Sequence, residues 1–234
     1  MTEQHNIVIE KRFCGPPQSG NGGYVSGVLA ALVAGDSQVT LHAPPPLDVA
    51  LVGKQTDEGA ELWHGEQLLA SAKPVSLELD VPPMPALDQV AAAEPHYIGF
   101  TQHELPGCFV CGTEREAGDA LCIYTGPLDD GRVATRWQAP AELADAEGNL
   151  TSPMVWAALD CPGFFAVQAQ AGHALLGRFS VRQLAPVPVS TPLVVMGWAL
   201  HHDGRKHQAG TAIYQADGEL LAWGHATWIS INRS

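Results

Sequence analysis

Apolar positions after Gly23 recur at helical spacing. Val25, Val28, Leu29, Leu32 and Val33 stand at i, i+3, i+4, i+7 and i+8, which predicts a helix with one buried stripe and Gly35 as its stop. Ahead of it the pattern predicts a short strand over Ile7 to Arg12 and a glycine-rich loop over residues 15–23. Behind it, runs of strand-forming residues predict strands over Gln38 to His42, Leu47 to Gln55, Gly59 to His64 and Gln67 to Leu79. Turn signals such as Asp57-Glu58-Gly59 and His64-Gly65-Glu66 part them. The second half repeats the order: strands over Ala120 to Thr125 and Arg132 to Gln138, a helix within Ser152 to Gln170, then strands over His173 to Gln183, Pro192 to His202, Lys206 to Gln215 and Glu219 to Ile231.

Between the halves, Val81 to Pro95 is rich in Pro and Ala and interrupts all alternation, so it reads as a connection. The boundary is placed near residue 97, giving units 1–97 and 98–234. The halves also rhyme in sequence: APPPLDVALVG (Ala43 to Gly53) answers APVPVSTPLVVMG (Ala185 to Gly197), and HGEQLLASAKPVSLEL (His64 to Leu79) answers DGELLAWGHATWISI (Asp217 to Ile231). One helix followed by hairpin-linked strands, twice over, is an α+β layout with each helix packed on antiparallel sheet.

Composition narrows the function. The 234 residues are 46% apolar and 16% charged, ample for a multilayer core, and they carry a formal charge of -13. That charge would repel a phosphate backbone or an anionic membrane surface, so no nucleic acid or membrane partner is expected. No apolar run approaches the roughly 20 residues of a membrane span, and Met1 to Glu10 has no signal-peptide pattern. Five scattered cysteines do not form a secreted disulfide framework, so a cytoplasmic setting is expected.

The segments SGNGGYVSGVLAAL (Ser19 to Leu32), GCFVCG (Gly107 to Gly112), VWAALDCPG (Val155 to Gly163) and GELLAWGHATWISI, in this order and duplicated, resemble the hotdog superfamily of acyl-CoA thioesterases. The resemblance covers nearly the whole chain. It implies two tandem hotdog domains, each a central helix wrapped by a curved antiparallel sheet, and an acyl-CoA substrate, with coenzyme A as part of the substrate and no separate cofactor. A homo-oligomer, a dimer in particular, is expected, because such a unit leaves a sheet edge or face to cover.

In one large branch of that superfamily the helix begins with His-Gly-Gly and carries an Asp nine residues after the His, with active sites where two hotdogs meet. Here the first half offers Asn21, Gly22 and Gly23, but Ala30 at the acidic position; the second offers Thr151, Ser152 and Pro153, but keeps Asp160. Nine helical residues span ~14 Å, too far for one helix to bring both groups to one carbonyl. Two antiparallel helices would bring the start of the first to Asp160, giving one composite site and one degenerate one. The amides of Gly22 and Gly23, with the helix dipole, would hold a developing oxyanion; Asn21 would add a donor, and Asp160 would be base or nucleophile. Asn21 in place of His leaves the role of that ring without a counterpart. The plainer alternatives are a helix-start turn capped by Asn21 and a water-facing Asp160 beside the kinking Pro162.

Tyr24, Trp156, Phe164 and Phe165 would line an acyl pocket or fill the core. Arg178, Arg182, Arg205 and Lys206 would meet the phosphates of coenzyme A, or are solvated strand ends. His201, His202 and His207 cluster around Asp203-Gly204-Arg205, a solvated hairpin tip. Cys108 and Cys111 form a lone C-x-x-C with no second pair or suitably spaced histidines in view, so no metal site is expected. Cys161 reads as a small core residue. Two competing readings remain: a non-catalytic acyl-CoA or small-ligand binder on the same fold, and a hydratase, which would want a catalytic His opposite the acid.

Overall fold

The structure is a computed structural model that describes residues 3–116 and 118–231. Its strands are β1 (Gln4–Val8), β2 (Ser37–Leu41), β3 (Ala50–Thr56), β4 (Gly59–His64), β5 (Gln67–Pro74), β6 (Gly126–Pro127), β7 (Val133–Trp137), β8 (Ala174–Gln183), β9 (Leu193–Asp203), β10 (Lys206–Gln215) and β11 (Leu220–Ser230). They form one sheet in the order β1-β3-β4-β5-β2-β8-β11-β10-β9-β7-β6, with every pairing antiparallel. The order reads alike outward from the β2–β8 junction. β2, β5, β4, β3 and β1 on one side match β8, β11, β10, β9 and β7 on the other. The helices are α1 (Gly22–Ala30), α2 (Leu87–Ala93), α3 (Ser152–Ala158) and α4 (Cys161–Ala171). Among the described residues no helix is long and apolar enough to cross a membrane.

The long strands of the second half are apolar on both faces because both faces are covered. In β9, Leu193 and Val195 join the main core with α1, α3 and α4, while Val194, Met196 and Trp198 point the other way into a second cluster. Cover for that second face comes from Val81 to Pro95 and the residues just before it. This stretch is more than the connection its composition suggested: Leu77 and Val90 are buried against the sheet, Tyr214 donates its hydroxyl proton to the Pro82 carbonyl (2.6 Å), and α2 forms inside it. Its prolines fit because it packs on the sheet face without joining the ladder.

Several expected elements differ, among them α1, which ends at Ala30 short of Gly35, and β5, which ends at Pro74 short of Leu79. The strand at Ile7 to Arg12 lies earlier, and Lys11–Phe13 forms a 3-10 turn. Ala120 to Thr125 forms no regular strand; its Leu121 and Ile123 amides donate to the carbonyls of Phe109 and Val110, docking it on the GCFVCG turn. The helix within Ser152 to Gln170 is broken into α3 and α4 at Leu159-Asp160, because Pro162 has no amide hydrogen with which to continue the helix.

Candidate active site

Helix α1 crosses α3 at very short range. A Cβ on Gly23 would lie 2.6 Å from Asp160 Cβ and 2.7 Å from the Trp156 carbonyl oxygen, and one on Gly27 would lie 2.6 Å from Pro153 Cα. Gly23 thus meets the end of α3 and Gly27 its start, so the helices run antiparallel. Two glycines one turn apart make the contact possible.

The break after α3 places Asp160 at the first turn of α1, 2% exposed. Its Oδ2 accepts from Asn21 Nδ2 (2.8 Å) and from the Gly23 amide (3.0 Å). Asn21 performs two tasks that need opposite polarities: its Oδ1 caps α1 by accepting from the Tyr24 amide (2.9 Å), while its Nδ2 holds the carboxylate. Ser or Asp could cap but could not hold a carboxylate in the same way. Asp160 Oδ1 is buried with no hydrogen-bond partner among the described residues. Burial, reinforced by the neighbouring Cys108, pushes the carboxyl up to about 7, against the opposing pull of the Gly23 amide and Asn21.

Asn21, Gly22 and Asp160 line a cavity of about 320 Å³ whose walls are mostly apolar, including Leu41, Phe164, Phe165, Leu176 and Trp228. Asn21, Gly23 and Asp160 therefore meet, but with the Gly23 amide engaged by Asp160 instead of free for a substrate. Gly22, at the first turn, has no intrahelical acceptor for its amide and lines the cavity.

The other candidate binding residues do not gather there. Tyr24 stacks on Phe13 (4.1 Å between centroids), and Trp156 packs edge-on against Phe179; both are held by core aromatics away from the cavity. Arg182 pairs with Asp36 and lies over Trp223, and Arg178, Arg205 and Lys206 are exposed and do not line the cavity. Arg182→Ala is accordingly expected to shift the denaturant midpoint only slightly, since the pair is partly solvated. The same variant should leave KM for any acyl-CoA unchanged; denaturant midpoints and a KM measurement check both. His207 is buried rather than solvated, bonded to His202 (2.9 Å) and Ser230 (2.8 Å).

His103, at the cavity wall, was not among the expected site residues. Its Nε2 donates to the Cys111 carbonyl (2.8 Å) and its Nδ1 accepts from the Leu105 amide (3.0 Å). Both ring nitrogens are committed, so it is poorly placed to shuttle protons as a hydratase histidine would.

The lone C-x-x-C gains a neighbour that the sequence did not reveal. Cys161, first residue of α4, brings its sulfur to 3.8 Å from that of Cys108, and the thiols of Cys108, Cys111 and Cys161 all lie within 4.8 Å of one another. All three are buried and line the cavity beside Asp160. Hydrogen bonds from Cys111 and then Cys161 hold the Cys108 thiol well below its ordinary value, despite its burial.

No protein-family model matches the sequence, and no curated protein does. Solved structures match over nearly all of it. A protein assigned as a thioesterase from Novosphingobium aromaticivorans is 13% identical with a TM-score of 0.65, over 98% of this chain and 96% of that one. The tesB protein of Mycobacterium avium subsp. paratuberculosis is 14% identical (TM-score 0.63, 98% and 93%), and a hot dog fold protein of unknown function from Alicyclobacillus acidocaldarius is 12% identical (TM-score 0.61, 100% and 94%). At such identities the likeness establishes the fold: this chain has the hotdog fold.

Proposed function

We propose that the chain is a double hotdog, with units 1–97 and 98–234, that hydrolyses acyl-CoA thioesters at the junction of α1 and α3. The carrying observation is Asp160, buried at the wall of an apolar cavity, its Oδ2 held by Asn21 and the Gly23 amide. Two donors on one oxygen orient the carboxylate and leave Oδ1 to engage a water or the acyl carbon. In this reading Asn21 and Gly23 position the carboxylate, and the Gly22 amide at the positive end of α1 is the donor left for the developing oxyanion. The symmetric position has Ala30 for Asp160, so one composite site serves the pair of units.

A cavity of about 320 Å³ lies at the small end of ligand pockets, which suits an acyl chain or a single ring with the rest of coenzyme A outside. The second reading, a binder of acyl-CoA or a similar ligand without turnover, draws on the Gly23 amide: a donor spent on Asp160 is lost to the oxyanion. The test is release of free thiol from short, long and aromatic acyl-CoAs. Turnover of at least one class supports hydrolysis. Binding to the folded protein without turnover moves the weight to the second reading.

A further inference from the structure

We propose that Cys108, Cys111 and Cys161 form a binding site for a borderline-soft divalent metal, zinc in particular, with three thiolate ligands and a fourth position on the cavity side. Nothing in the hydrolytic reading uses these thiols. A tetrahedral zinc site with metal–sulfur distances of about 2.3 Å sets its sulfurs about 3.8 Å apart. The Cys108–Cys161 separation is 3.8 Å, and all three sulfurs lie within 4.8 Å of one another, so closing on an ion takes side-chain shifts of about an ångström.

The turn that carries the pair is also shaped for a bound anion or thiolate. Asn21 Nδ2 approaches the Cys108 sulfur at 4.0 Å, and backbone hydrogen bonding from Cys111 and Val110 favours its thiolate form. Gly112 closes the turn with its amide on the Cys108 carbonyl (2.9 Å). A Cβ there would run into the carbonyl oxygen of Pro106 and sit 2.6 Å from Cys108 N. Polar hydrogens near the sulfur are what a thiolate–metal centre needs to keep its charge in a buried place.

The third ligand comes from 50 residues downstream of the pair, delivered by the α3–α4 break that also places Asp160. This explains its invisibility in the sequence, where metal sites announce themselves by close spacing. On binding, each thiol that is still protonated gives its proton to the buffer and becomes a thiolate ligand. Because all three residues line the cavity, the remaining coordination position is left to water or to a thiol that enters there.

The test uses the full chain, purified under reductant, stripped with a chelator and titrated with zinc against a competing chromophoric chelator. One zinc per chain is expected, with cadmium giving a thiolate-to-metal charge-transfer absorption. Cys161→Ser should weaken zinc at least about 100-fold, while Cys14→Ser and Cys122→Ser leave it unchanged. If Cys161→Ser does not fold, alkylation of the wild-type chain decides: zinc should protect Cys108, Cys111 and Cys161, but not Cys14 or Cys122. Equal binding by Cys161→Ser, absence of the cadmium band, or equal alkylation of all five thiols with and without zinc would overturn the proposal. None of these readouts depends on thioester turnover.

Discussion

Asp160→Asn is expected to remove hydrolysis and, at the same pH, to make the chain harder to unfold. A general base or nucleophile is worth at least about 100-fold in rate, so turnover should fall by that factor or more. The stability effect has the opposite sign because the carboxyl is buried. Its folded value is raised to about 7 from an ordinary 3.8, so the unfolded chain loses this proton first as pH rises. Stability contributed by this group therefore falls between about pH 4 and 7 and stays low above that. Three pH units of separation convert to ~4 kcal/mol, and structural relaxation will reduce it. Asn keeps the volume and can still accept from Asn21 and Gly23, but carries no charge to bury. Urea midpoints at pH 5 and 8, with a chelator present, should fall in the wild type relative to the variant. Every other titratable group is common to both proteins, so the difference isolates Asp160. A constant gap between the two proteins at both pH values would refute the assignment of a raised carboxyl.

The layout was readable in the sequence because its signals are local. The stripe of Val25 and Leu29 and the hairpin turns are properties of windows shorter than twenty residues, and α1 and the long strands follow from them. Asp160 and the Asn21-Gly22-Gly23 start could be linked only through the family pattern and a length argument, since 137 residues separate the Gly23 amide from the carboxylate it meets. What stayed hidden was set by long-range packing. Tyr24 and Trp156 carry the same aromatic character whether they line a cavity or stack in a core, and only the positions of Phe13 and Phe179 decide. The Pro- and Ala-rich stretch has the composition of a linker, yet its Val90 and Leu77 cover a sheet face whose existence depends on how β9, β10 and β11 pair.

Gly23→Ala should destabilise the chain strongly. On propensity alone the change would favour α1, by up to ~1 kcal/mol in a helix interior and less in a first turn. The added carbon, however, would lie 2.6 Å from Asp160 Cβ, 2.7 Å from the Trp156 carbonyl oxygen and 3.1 Å from Ala157 Cα. Two of these atoms are backbone and none is the far end of a flexible side chain, so relief requires α1 and α3 to move apart. Overpacking of that kind costs about 1–3 kcal/mol, and backbone contacts put this case at the upper end, which overrides the propensity gain. The displacement also lengthens the Gly23–Asp160 hydrogen bond, so the folded fraction should lose turnover as well as stability. Gly107→Ala is the control: a Cβ there meets nothing within 4 Å, and its denaturant midpoint should match the wild type to within about 0.5 kcal/mol. Were Gly23→Ala as stable as the wild type, the helices could not cross as closely as described. The alignment of Asp160 with the start of α1, on which the hydrolytic reading depends, would then have to be abandoned.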